Sequence, residues 1–407
     1  MKKIIIDTDP GQDDALALMT AFGAKQEIRV LGVTCVAGNV PLDLTSINAL
    51  KICELSGIYD VPVFKGSSAP LKRNLITAEH VHGKTGLDGT ELLVKKKELE
   101  LKSAVDFIID CAEKYKDEKI TICALGPLTN IAKVLTKNPR VTESIKEIIL
   151  MGGGFFEGGN ITPAAEFNIY VDPEAAKIVL ESGVKITMLP LDVTHKTLVR
   201  RDFLDRLRGS RKNSAIQAAK LLDFFERYDI EKYGSQGGPL HDPNVIVYLL
   251  HPEIYNGKLV NVEIEVNSEL TRGMTVVDWW RVTNRKPNAF YVNEIIDGTD
   301  TDRNVTNNHT NGMVNGTDPE GQSLTWVIDP DPENKGHMYQ PENGDSESVI
   351  FNISESGNIY VVPSARNKDL LDFEGKRLYV IIAKVTDTPK SGLLPNTKLS
   401  ATGKIIV

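Results

Sequence analysis

The sequence predicts an α/β fold, a doubly wound and mainly parallel sheet, followed by a smaller all-β sandwich. From residue 1 to about 190, short β-branched runs alternate with stretches of helical period, the pattern of strand–helix units whose sheet is covered on both faces. The first strand candidate is an unbroken apolar run, Ile4-Ile5-Ile6, as a buried strand requires. After Ile296 the helical period disappears and short strands separated by turns take over.

Taken in order, the strands of the first regime are Lys3–Ile6, Arg29–Thr34, Val61–Phe64, Ile120–Ala124, Ile145–Met151 and Lys185–Leu189. Helices fall between them at Asp13–Phe22, Leu42–Ser56, Ala104–Tyr115, Leu128–Thr136 and Pro173–Glu181, and the region ends with a strand at Ala289–Val292. Polar or glycine-rich segments follow several strands: Asn39 after the second, Leu125-Gly126-Pro127 after Ala124, and Met151-Gly152-Gly153-Gly154 after another. In a parallel sheet these converge on one rim, where such folds bind ligands.

The densest chemistry lies at the end of the first strand. Asp7, Asp9, Asp13 and Asp14 crowd a single turn around Pro10 and Gly11. A cap uses one carboxylate, and the helix dipole favours each further acid by only about 0.3–1 kcal/mol. Capping therefore explains one or two of these acids and leaves the rest repelling one another. A divalent cation among them relieves that repulsion, and all-oxygen ligands without a neighbouring Cys or His favour Ca²⁺ or Mg²⁺ over zinc.

At 407 residues the chain is long for one domain, and two are expected. A net charge of −8 argues against a nucleic-acid surface, Lys95-Lys96-Lys97 being a short solvated run between acids. Cys35, Cys53, Cys111 and Cys123 sit in apolar patterns without CxxC spacing and read as reduced core residues. Met1 leads almost directly into a strand, with neither a secretory apolar region nor a run of membrane-spanning length. The expectation is a cytoplasmic protein without membrane partners, a lost leader and export staying open.

Asp7-Thr-Asp-Pro-Gly-Gln-Asp-Asp14, Gly38-Asn39, Ala124-Leu-Gly-Pro-Leu-Thr-Asn-Ile-Ala132, Met151-Gly-Gly-Gly154, Asn160, Ala165-Glu-Phe-Asn168, Asp172-Pro-Glu-Ala175 and Leu240-His-Asp-Pro243 together resemble the inosine–uridine-type nucleoside hydrolases. The resemblance covers residues 1 to about 295, taken as a catalytic domain over 1–296. It implies calcium-dependent hydrolysis of the N-glycosidic bond of ribonucleosides to ribose and free base. It further implies metal ligands Asp9, Asp14, the Leu125 carbonyl and Asp242, with Asp9 also the general base. Asp13, Asn39 and Asn168 would hold ribose hydroxyls, and Asn160 and Glu166 the 5′-hydroxyl. His241 would donate a proton to the leaving base, and His82, in a glycine-rich segment that reads as a mobile loop, would help close the site. Tyr228 and Tyr233, on one helix, would stack on or bond the base, although core packing suits them equally. The family's habit is a homodimer or homotetramer.

The chemistry agrees with the resemblance. Breaking a ribosyl bond passes through an oxocarbenium-like state that needs negative charge near the sugar, an activated water and help for the leaving base. A second class of protein, a riboside- or glycan-binding chain with an adhesive β domain and little turnover, would not need the water-activating Asp9.

Family members end with an amphipathic helix where this chain instead has a polar run, read as a linker over 297–315. Strands then follow at Leu324–Ile328, Val349–Ile353, Asn358–Val362, Arg377–Val385 and Thr402–Val407. With Asp318-Pro-Glu-Gly321, Leu371-Asp-Phe-Glu374 and Ala383-Lys-Val-Thr-Asp387 they resemble a cadherin-like repeat, taken as a β-sandwich domain over 316–407.

Overall fold

The computed structural model describes residues 1–296 apart from 235 and 236, with the side chains of 229 and 233 also outside the description; beyond 296 it describes only the backbone of seven strand segments. Contacts divide the chain into two compact units, Met1–Ile295 and Ile296–Val407.

In the first unit the chain runs β1 Lys2–Thr8, α1 Gln12–Gly23, β2 Ile28–Cys35, α2 Leu42–Leu55, β3 Val63–Lys65, α3 Glu79–His82, α4 Ala104–Lys114 and β4 Ile120–Ala124. It continues through α5 Thr129–Lys137, β5 Ile145–Met151, α6 Phe167–Val171, α7 Pro173–Leu180, β6 Ile186–Leu189, α8 Leu191–Thr194, α9 Arg201–Arg208, α10 Asn213–Tyr233 and α11 Pro243–Leu250. Strands β7 Tyr255–Val260, β8 Val262–Ile264, β9 Thr275–Val277 and β10 Ala289–Ile295 complete it. The main sheet has eight strands in the order β3-β2-β1-β4-β5-β6-β10-β7. All neighbours are parallel except β10 and the edge strand β7.

The apolar runs divide between two layers. Ile4 and Ile6 pack with α1, α2 and α11 on one face, while Ile5 packs with α4, α5 and α7 on the other. All three are fully buried, which is why the strand shows no polar alternation. The four cysteines are free and buried, as expected. Among the described residues no helix is long and apolar enough to cross a membrane.

The topology fixes where a ligand goes. From β1 the chain winds outward through β2 to β3, then returns to lay β4 on the other side of β1, so the winding reverses between β1 and β4. The carboxyl ends at such a switch point open a crevice. The segments after β1, β2, β4 and β5 carry Asp9, Asn39, Leu125 and Gly152, as the alternating pattern predicts.

In the second unit, Gly312–Thr317, Ser323–Ile328, Met338–Tyr339, Val380–Thr386 and Ser400–Ile406 pair antiparallel in one sheet, and Ile350–Ile353 pairs with Ile359–Val362. The linker expected over 297–315 and the cadherin-like sandwich over 316–407 otherwise lie outside the described residues.

Candidate active site

Burial makes the acidic turn unusual. Asp9, Asp13, Asp14 and Asp242 are each no more than 5 % exposed. One carboxylate oxygen from each of Asp13, Asp14 and Asp242 lies within 4.8 Å of the others. At that separation an ionised pair repels by about 3–4 kcal/mol even at an effective dielectric constant near 20, and no cationic side chain among the described residues offsets it. Burial first, and then the neighbouring Asp14, push the Asp13 carboxyl up to about 8. Burial and the same neighbour hold Asp9 well above the carboxylate range, and Asp242 is raised by burial and then by Asp13, Asp14 and Asp9.

Local structure aims each acid. Asp14, at the third position of α1, accepts the Gly11 N–H at 3.0 Å and the Asp9 N–H at 3.2 Å, with the Thr8 hydroxyl as a further donor. Asp9 Oδ2 accepts the Asn39 N–H at 2.7 Å. A Cβ at Gly38 would fall 2.1 Å from Asp9 Oδ2, and one at Gly126 would fall 2.1 Å from Asp9 Oδ1, so only glycine lets those two loops close around this carboxylate. Asp9 Oδ1 and Asp13 Oδ1 are buried without a hydrogen-bond partner among the described residues. Buried carboxylate oxygens left unpaired beside like charges, with no nitrogen or sulfur donor in the cluster, fit a hard divalent cation.

Above this floor lies a cavity of about 560 Å³, the size of a small-molecule site. Asp13, Asn39, Leu125, Asn168 and Asp242 line it, together with Asn160, Glu166, His82, His241 and Tyr228. Asp9 and Asp14 lie beneath that lining. The amide NH₂ of Asn168 donates to the Leu125 carbonyl at 2.8 Å and the Met151 carbonyl at 3.3 Å, and that of Asn39 donates to the Asp9 carbonyl and to Asp14 Oδ2, both at 3.1 Å. Each therefore offers a ligand its Oδ1 acceptor. Asn160 does the reverse, since its Oδ1 accepts the Phe167 N–H at 2.9 Å and leaves its NH₂ as the donor.

Glu166, taken alone, reads equally well as a surface acid; in the fold it is 2 % exposed. It caps α6, accepting N–H groups of Gly153, Asn168 and Ile169 at 2.9–3.1 Å, and burial still pushes its carboxyl up to about 7.

His82 departs from its expected setting. It ends a short helix, α3, within the glycine-rich segment, and its ring is buried against Phe225 with Nδ1 2.7 Å from Gln12 Oε1. Gln12 also donates to the His82 carbonyl at 3.0 Å and the Asp88 carbonyl at 3.2 Å, pinning the glycine-rich segment. His241 Nδ1 lies 2.8 Å from the Thr194 hydroxyl. Burial pushes both imidazoles down to about 3, with His80 adding to the effect at His82 and His195 and then His82 at His241. Both rings are therefore neutral at ordinary pH. Tyr228 stands edge-on to His80, ring centroids 5.6 Å apart; Tyr233 ends the same helix, and its side chain lies outside the description.

Several lining residues escaped the sequence reading: His80, Glu157, His195 and Phe225. His195 could have been found, because it follows the carboxyl end of β6 just as Asn39 follows that of β2.

A carboxylate nest at the switch point of a parallel sheet, opening on a cavity lined by amides and neutral imidazoles, suits a hydrolase that handles a polyhydroxylated substrate at a metal. The chain belongs to the inosine-uridine preferring nucleoside hydrolase family, whose model matches residues 4–303. It is 50% identical over 295 residues to an uncharacterised protein of Schizosaccharomyces pombe, covering 72% of this chain and 95% of that one. It is 45% identical over 291 residues to the pyrimidine-specific ribonucleoside hydrolase RihA of Shewanella sp. strain ANA-3, covering 71% of this chain and 90% of the relative. Among solved structures, a purine-preferring ribonucleoside hydrolase from Gardnerella vaginalis superposes with a TM-score of 0.68 at 33% identity, covering 72% of this chain and 94% of that one. The protein is a ribonucleoside N-glycosidase. Its family is metal-dependent, and the acidic cluster of Asp13, Asp14 and Asp242 suits that dependence.

Proposed function

We propose that the protein hydrolyses ribonucleosides to ribose and free base with Ca²⁺ as its cation, held by Asp9, Asp14, the Leu125 carbonyl and Asp242. The observation that carries this reading is the pair of buried, unpartnered oxygens, Asp9 Oδ1 and Asp13 Oδ1, in an all-oxygen nest. When bound, the cation supplies Lewis-acid activation of a water and a grip on the ribose diol.

The chain's own groups do the rest. Asp9 takes the proton from the attacking water, which is general-base chemistry worth about 10²–10⁴-fold in rate. Asp13 and the Oδ1 atoms of Asn39 and Asn168 accept hydrogen bonds from ribose hydroxyls, and Asn160 and Glu166 hold the 5′-hydroxyl. The buried acids also place negative charge below the ring as positive charge develops on it. His241, oriented by Thr194, is the proton donor to the departing base, a role in which the ring, neutral in the free fold, takes up a proton from solvent once the nucleoside is bound and passes it on. His82 and Tyr228 wall the base, with Tyr233 proposed beside them.

A relative whose name specifies pyrimidines matches the chain in sequence and a structure whose name specifies purines matches it in fold, so the substrate class is taken as ribonucleosides of either kind. We also assign residues 1–296 to the catalytic domain, 297–315 to a linker and 316–407 to a cadherin-like domain, and expect a homodimer or homotetramer in the cytoplasm. A reducing-sugar assay on inosine, uridine and cytidine tests the function. Sugar release by the parent protein and its loss in Asp242→Ala are expected; equal release by both would remove Asp242 from the site.

A further inference from the structure

Among the residues that line the cavity, Glu157 and His195 form a pair that the roles above do not use. Both line the cavity, with His195 Nδ1 3.2 Å from Glu157 Oε2 and the His195 ring centroid 5.7 Å from that of His241. The pair is built on a buried anchor. Asp192, 2 % exposed, accepts the Glu157 N–H at 2.7 Å and the Phe155 N–H at 3.0 Å, and is itself bonded by the buried Tyr291 hydroxyl. The short helix α8 and the residue after it deliver Asp192, Thr194 and His195 together, so the scaffold that orients His241 also fixes this pair.

Stability does not account for it. The side chains are 44% and 34% exposed, and ion pairs so accessible contribute about 0–1 kcal/mol. A ligand does better. With His195 Nδ1 held against Oε2, the Glu157 carboxylate keeps its other oxygen as an acceptor on the cavity, and a carboxylate has no proton to offer a ligand. A carboxylate acceptor beside the proton donor for the leaving group matches a base edge that carries an amine and opposes one that carries a carbonyl oxygen.

We propose that Glu157 and His195 form a subsite that reads the exocyclic group of the leaving base, favouring amino bases such as cytosine over oxo bases such as uracil. The proposal rests on the hydrolase reading. Glu157→Gln keeps the shape and adds a donor suited to a carbonyl oxygen, so the ratio of kcat/KM for cytidine to that for uridine should fall about tenfold or more, with Glu157→Ala falling between variant and parent. A ratio of two rates on one protein cancels any general loss of folded enzyme. Turnover with the ratio unchanged in both variants overturns the subsite alone. No sugar release by the parent from any nucleoside overturns the hydrolase reading and the subsite with it.

Discussion

The backbone N–H of Asn39 donates to one oxygen of Asp9 at 2.7 Å, while the other oxygen of that carboxylate has no hydrogen-bond partner among the described residues. One half of the side chain is thus fixed by the fold and the other half left for chemistry. Asp9→Asn keeps the fixed half, because an amide oxygen can still accept the Asn39 N–H. The NH₂ that replaces the other oxygen weakens calcium binding, and we expect kcat to fall by about 10²–10⁴-fold even where excess Ca²⁺ keeps the site occupied. Steady-state kinetics beside metal analysis checks this, and a variant within tenfold of the parent would assign the base elsewhere.

The same carboxylate explains why Gly126 must be glycine. Its φ is unremarkable, yet an added Cβ would overlap Asp9 Oδ1 at 2.1 Å. Gly126→Ala should turn the carboxylate away and weaken calcium binding about tenfold or more in a titration calorimeter, on a protein that still folds. Unchanged affinity would mean that Asp9 Oδ1 does not face the cation.

Calcium affinity should depend on pH in a direction the buried acids fix. The Asp13 carboxyl stands at about 8 in the cation-free fold against 3.8 in an unfolded chain. A carboxyl raised in this way contributes stability below pH 3.8 that is lost as pH climbs towards 8. A cation held beside Asp13 by Asp9, Asp14 and Asp242 favours the ionised form of Asp13 and so gains affinity across that window. The rise in melting temperature on adding a fixed excess of Ca²⁺ should therefore grow as pH climbs towards about 8, below which Asp13 in the cation-free fold holds its proton. A constant or shrinking rise would contradict it.

Thr194 orients His241, and its own contact with the substrate is not required. Thr194→Val leaves Nδ1 without its partner, which typically costs about 1–3 kcal/mol when the group is buried. We expect kcat to drop about tenfold with KM changing less than kcat, and Thr194→Ser to restore most of the loss. Equal rates for Val and parent would release His241 from its proposed role.

The first unit was legible because its strands are buried on both faces. Ile120–Ala124 and Ile145–Met151 run over the same residues that their apolar runs delimit. The acidic floor was legible for a different reason: four acids in one turn exceed what capping explains. The setting of His82 was not. Glycines around it suggest mobility, but the Gln12 amide that pins it is seventy positions away in sequence. Glu166 was equally opaque, since nothing in its neighbours distinguishes an exposed acid from one that caps a buried helix. The Glu157–His195 pair joins residues 38 apart through a loop whose course only Asp192 explains. The second unit showed a turn-and-strand pattern in the sequence, and its packing lies outside the described residues.

The most direct test of the account is removal and return of the cation. Protein stripped with a chelator should release no reducing sugar from uridine, cytidine or inosine. Adding Ca²⁺ should restore turnover at about one ion per hydrolase unit, and the Asp242→Ala variant should neither bind that ion nor recover. Full sugar release by protein shown by metal analysis to be free of divalent cations would contradict the account at its centre.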